Sequence, residues 1–84
     1  MPEELIGKIS DYFGKIGVAA IELSGNLKTG EKIHIKGHTT DFEQMVDSIQ
    51  IDRKPVPEGK AGDSIGIKVN EYCRKNDLVY KVVP

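Results

Sequence analysis

The order of the residues predicts an all-β fold of antiparallel strands, on three observations. From Ile16 to Val83 the apolar residues alternate with polar ones or gather in short runs. Gly, Pro, Asn and Asp separate those runs, which is the punctuation of strands and turns. Finally, Lys32-Ile33-His34-Ile35-Lys36 places Ile33 and Ile35 on one face and three cationic or polar side chains on the other. A strand with one dry and one wet face has this pattern.

The elements follow in chain order. The first segment has two readings. Pro2, Glu3 and Glu4 suit the first turn of a helix, Leu5, Ile6, Ile9, Tyr12 and Phe13 fall near helical spacing, and Gly14 would close it. Leu5-Ile6-Gly7-Lys8-Ile9 reads equally as a strand. Gly17 to Leu23 is a strand that turns through Ser24-Gly25-Asn26 and Lys28-Thr29-Gly30-Glu31 into Lys32–Lys36, because these residues tolerate positive φ. Phe42 to Ile51 is expected as one strand. Its apolar positions change parity between Phe42, Met45, Val46 and Ile49, which predicts a bulge or strong bend. Pro55 and Pro57 end that strand and open the longest loop, from about Arg53 to Asp63. Ser64 to Val69 alternates again, with Ile65, Ile67 and Val69 on one side, and Leu78 to Val83 completes the set.

Size and composition bound the function. With 84 residues and one cysteine, the chain is expected to be a single domain, residues 1–84, whose apolar residues nearly all serve the core. No apolar run approaches the roughly 20 residues that span a bilayer, so no membrane role is expected. Met-Pro-Glu-Glu lacks the basic start of a signal peptide, and a lone cysteine staples nothing, so the expected compartment is the reducing cytoplasm. Twelve basic and 13 acidic side chains leave a net charge of −1. That balance removes the general electrostatic argument for nucleic-acid binding, and any RNA contact must come from a local patch.

No strong catalytic constellation stands out. There is no phosphate loop, and the nine glycines occupy turn-like positions, so neither nucleotide nor cofactor is expected. Cys73, His34 and His38 lack the spacing of a structural zinc site, and no metal is expected. His34 reads as a solvated outer-face residue and His38 as a loop residue. Cys73 sits beside Arg74 and Lys75, whose charges would favour a thiolate, although a small ordinary side chain is the plainer reading. Asp41, Glu43 and Asp47 read as the wet face of a strand. Arg53, Lys54 and Lys60 flank the proline loop, and Arg74 and Lys75 lie in another; together these loops would make a small phosphate-contacting patch.

A family resemblance adds to these readings. Gly25-Asn26-Leu27-Lys28-Thr29-Gly30-Glu31-Lys32-Ile33-His34-Ile35-Lys36-Gly37 resembles the G-x-L-K-x-G-D/E signature of domain 2 in translational GTPases such as elongation factor Tu. Val46-Asp47-Ser48-Ile49-Gln50 and Lys54-Pro55-Val56 resemble the strand and loop that follow. Ala61-Gly62-Asp63-Ser64-Ile65-Gly66-Ile67 resembles the A-G-D-x-V/I-G strand, and Asn76-Asp77-Leu78-Val79 falls at an expected turn. Asparagine replaces glycine there because it also tolerates a left-handed conformation. The resemblance runs from about Ile6 to Val83.

The resemblance implies a small closed antiparallel β-barrel of six to seven strands, opened by Ile6-Gly7-Lys8-Ile9 as a strand. Gly25, Gly30, Gly37, Gly62 and Gly66 are then structural turn and barrel positions. It implies a freestanding, non-enzymatic adaptor that binds tRNA, ribosomal RNA or a ribonucleoprotein weakly. Arg53, Lys54, Lys60, Arg74 and Lys75 are the candidate phosphate contacts. The chain has Ala19-Ala20-Ile21 where the Tu type has Thr-Gly-Arg, so that type's aminoacyl-tRNA pocket is not carried over. The same barrel occurs as an appendage in U32-family peptidase-like proteins. The alternative is a protein–protein module that completes or regulates a separate enzyme, marked by an exposed patch around Tyr12, Phe13 or Tyr72. A closed barrel has no long free edge, so a monomer is expected.

Overall fold

A computed structural model describes residues 3–38 and 40–82. Its ten strands are β1 (Glu3–Phe13), β2 (Val18–Leu23), β3 (Leu27–Lys28), β4 (Lys32–Lys36), β5 (Asp41–Met45), β6 (Ile49–Ile51), β7 (Lys54–Val56), β8 (Glu58–Gly59), β9 (Ser64–Lys68) and β10 (Leu78–Val82). Eight form one antiparallel sheet in the order β5-β4-β10-β1-β2-β9-β6-β7, and β3 pairs with β8. The fold is thus all-β with a large antiparallel sheet. The hydrogen-bonded ladder ends at β5 and β7 among the described residues, where the sequence reading expected a closed ring. No helix there is long and apolar enough to cross a membrane.

The first segment is a strand throughout, and longer than its sequence suggested. β1 pairs with β10 through Glu3–Lys8 and with β2 through Gly7–Phe13. Its register shifts between Leu5 and Gly7 against β10, and between Ile9 and Asp11 against β2. Such irregularities bend a strand and increase its twist, and a bent central strand curls the sheet around one core. Ile6 and Ile9 of β1, Ala19, Ile21 and Leu23 of β2, Ile33 and Ile35 of β4, Ile65 and Ile67 of β9 and Val79 of β10 form that core with Leu27 and Ile49. The alternation in β2, β4 and β9 places these residues inward and their neighbours outward.

The parity change after Phe42 marks a break in place of a bulge. β5 ends at Met45 and β6 begins at Ile49. Buried Val46 between them is held by backbone bonds, its N–H donating to Glu31 O and its carbonyl accepting from Gly30 N–H. The expected proline loop contains β7 and β8. Asp52 and Arg53 both have positive φ and form a two-residue hairpin, and Pro55 fits because β7 is an edge strand. Val83, expected to end the last strand, lies outside the described residues.

Two connections position the outer surface. Gly37 lies so close to the buried Asp77 side chain that an added Cβ would run into the carboxylate. Asp77 in turn accepts the Arg74 N–H at Oδ2, and its backbone carbonyl accepts the Ile9 N–H. Asn76 beside it has φ 74°, the left-handed turn conformation. Gln44 joins the end of the sheet to β9: its Nε2 donates to Lys68 O and its Oε1 accepts from Asn70 N–H, both at 2.8 Å. Gln44 is buried, so its removal orphans two backbone groups. Gln44→Ala is expected to lower the unfolding free energy by about 2 kcal/mol, measured by urea denaturation.

Candidate functional site

The outer surface carries two candidate sites, one polar and one apolar. The polar one follows from the pleat of the β4–β5 hairpin. His34 stands directly opposite Glu43, and Lys36 opposite Asp41, so the outward residues of both strands share one face. β10 lies between β4 and β1, with Tyr80 opposite His34 and Val82 opposite Glu3. Glu3 reaches over β10 to the same imidazole. His34 Nδ1 lies 2.7 Å from Glu3 Oε2, while Nε2 bonds Asp41 Oδ1. Glu43 pairs with Lys32 at 3.0 Å.

This arrangement corrects the reading of His34 as a solvated residue. Its side chain is only 14% exposed and is clamped between two carboxylates on different strands. The hydrogen bond it donates to Asp41 raises its pKa above the ordinary 6.5, with Glu3 adding to the effect against the opposing cost of burial. Asp41 is lowered from 3.8, chiefly by the bond to His34. The stability from a raised histidine is full below 6.5 and is lost as pH rises through the folded-state value. That from a lowered carboxylate is full above 3.8 and is lost as pH falls. The clamp therefore stabilises most in mildly acidic solution. The melting-temperature difference between wild type and His34→Gln is expected to be larger at about pH 5.5 than at about pH 8.5.

The apolar site is an open groove of about 510 Å³ over the outer face of β2, β9 and β6. Its floor is made of small outward residues, Val18, Ala20 and Gly66, where β2 pairs with β9. Phe13 at the end of β1 and Ile16 from the β1–β2 turn stand on one side, with Ile16 65% exposed. Asp52 and Arg53 of the β6–β7 hairpin stand on the other. A floor without side-chain bulk and an apolar wall admit close approach of another backbone.

The remaining sequence candidates are distributed over the surface. Arg53 and Lys54 sit on the β6–β7 hairpin, Lys60 begins the turn closed by Asp63, and Arg74 and Lys75 lie in the loop before β10; all are exposed. Arg53 lines the apolar groove, whereas Arg74 lines a separate hollow with Thr40, Phe42 and Tyr72. Arg74 stacks 5.5 Å over the Tyr72 ring, and Tyr12 meets that ring edge-on at 4.8 Å. Asp47 lies between β5 and β6, outside the strand that holds Asp41 and Glu43. Of the structural glycines, Gly30 and Gly62 have positive φ; Gly25 packs near Ile6 and Gly66 near Val18.

Cys73 is 1% exposed and its pKa is pushed up to about 12, first by burial and then by Asp77 and Glu71. These effects oppose the neighbouring cations that favoured a thiolate in the sequence. Iodoacetamide at about pH 8 is expected to leave Cys73 unmodified in the folded chain and to alkylate it rapidly in urea, as followed by mass spectrometry.

Comparison with known proteins redirects the functional reading. No family model matches the chain. It is 42% identical over 76 residues to an uncharacterized protease of Methanocaldococcus jannaschii, a match covering 89% of the chain and 19% of that protein. It is 37% identical over 78 residues to a collagenase of Porphyromonas gingivalis, covering 90% and 22%. The chain thus spans about a fifth of the length of these relatives. Its fold matches the C-terminal domain of a U32 peptidase from Geobacillus thermoleovorans with a TM-score of 0.89 and 16% identity, covering 95% of this chain and 93% of that one. The selenomethionine variant of that domain gives 0.86, with 15% identity.

These relatives overturn the assignment to translational GTPase domain 2. With it fall the freestanding RNA-binding adaptor and the non-enzymatic reading, since the sequence relatives are a protease and a collagenase. The motif that suggested the translation factors has a local cause. Gly30 needs φ 90°, while Leu27, Ile33 and Ile35 must be buried, so the signature describes a turn between strands. Any sheet with that turn can carry it.

Proposed function

We propose that this chain is the β-domain of a U32-type peptidase and that its groove holds an extended segment of the protein substrate. The observation that carries this reading is the 42% identity, over 76 residues, to part of a protease. The collagenase relative and the fold shared with a U32 peptidase C-terminal domain support it. The groove suits a polypeptide chain: Gly66 leaves room for a backbone, Phe13 and Ile16 offer apolar contact, and Asp52 and Arg53 offer an acceptor and donors. In this reading residues 1–84 form one folding unit, the sheet curls as a small barrel with β5 and β7 at its edges, and the setting is cytoplasmic.

The test is a chimera of the Porphyromonas gingivalis collagenase in which this chain replaces the matching segment. Gelatin hydrolysis is expected to survive in the chimera and to drop at least about tenfold when the segment is deleted. Gly66→Val fills the floor with a residue suited to strands and is expected to raise KM about fivefold, the equivalent of ~1 kcal/mol, with kcat unchanged. A folded chimera as inactive as the deletion overturns the assignment. An active chimera indifferent to Gly66→Val overturns the groove.

A further inference from the structure

We infer that Glu3, His34 and Glu43 form a binding site for a zinc-class divalent cation, with Asp41 as the positioning residue behind the imidazole. This goes beyond the peptidase reading and does not depend on it. The three groups come from β1, β4 and β5, and their ligand atoms all lie within 4.8 Å of one another. Two ligand atoms on a tetrahedral zinc ion sit about 3.3 Å apart, given bonds near 2.0–2.1 Å. The glutamate ends are partly exposed, so small side-chain rotations close the three atoms around an ion.

The histidine gives the cluster its selectivity. Asp41 accepts a hydrogen bond from Nε2 and holds the proton there, so the proton given up on metal binding is the one at Nδ1, whose lone pair then meets the metal. Nδ1 and Glu3 Oε2 lie 2.7 Å apart, a separation now bridged by one proton, and a cation takes that proton's place by widening the gap by about 0.6 Å. Glu43 stands directly across the ladder from His34 and supplies the third ligand once it releases Lys32. One nitrogen and two carboxylate oxygens suit zinc better than magnesium, which takes oxygen ligands and keeps its water. The groups facing His34 are Glu3 from β1, Tyr80 from β10, Lys32 and Lys36 from β4, and Asp41 and Glu43 from β5. Three carboxylates against two lysines leave a local negative excess that favours a cation once the imidazole is neutral.

The experiment is a titration of the full chain with zinc chloride at about pH 7.5, followed by calorimetry and by NMR of the histidine ring nitrogens. One zinc per chain is expected, moving the His34 Nδ1 resonance and leaving His38 still, while magnesium chloride at the same concentration moves neither. Glu43→Gln is expected to fold normally and to weaken zinc binding at least about tenfold. Asp41→Asn is expected to weaken it by a similar factor, while Asp41→Glu, which keeps a carboxylate for Nε2, restores most of the affinity, a rescue that a purely structural role would not show. Absence of zinc uptake below millimolar concentration overturns the site, as does binding unchanged in Glu43→Gln or a zinc shift carried by His38.

Discussion

The molecule depends on β1 belonging to two ladders at once. Its first half pairs with β10 and its second with β2, and the register slips once in each ladder. A straight strand of this length would lie in a flat sheet and present its outer face to a single plane. The bent one curls its neighbours around Ile6 and Ile9, so that β4 and β5 wrap to one side and β9 and β6 to the other. Gln44 then joins β5 to the end of β9 by side-chain bonds, across a gap that backbone pairing does not bridge.

Both candidate sites are consequences of that curl. The groove exists because β2 and β9 turn small residues outward while the end of β1 and the β1–β2 turn lift Phe13 and Ile16 above them. The clamp on His34 exists because the N-terminal end of β1 lies one strand away from β4, close enough for a glutamate to reach the imidazole. The two sites also differ in rigidity. The groove floor is backbone-defined, whereas the clamp is made of side chains whose bonds follow the protonation of one histidine. The two share no residue, so each can be altered without touching the other.

Much of the fold was legible in the sequence because burial on one face writes a period of two. Lys32–Lys36 matched its strand residue for residue, and Ser64 and Leu78 marked the starts of β9 and β10. The short strands β3, β7 and β8 were not legible, since two or three residues cannot display a period. Phe42–Ile51 was misread as continuous because a break and a bulge shift apolar parity in the same way. The His34 cluster was half legible: a β4–β5 hairpin places the outward residues of both strands together, but nothing local indicates that Glu3 arrives from 31 residues away. The basic residues were all identifiable, and the structure carries them on the β6–β7 hairpin, the turn from Lys60 to Asp63 and the loop before β10.

The sequence by itself determined that this chain is all-β, which residues face the core, and where most turns fall, because alternation and turn chemistry act between near neighbours. Tertiary structure alone decided that β1 bends into two ladders, that Cys73 is sealed beside Asp77 and Glu71, and that His34 lies between carboxylates from two other strands. Each of these outcomes is set by contacts between residues distant in the chain or by the burial that such contacts create. A linear pattern carries which side of a strand a residue takes, but only packing carries what it meets there.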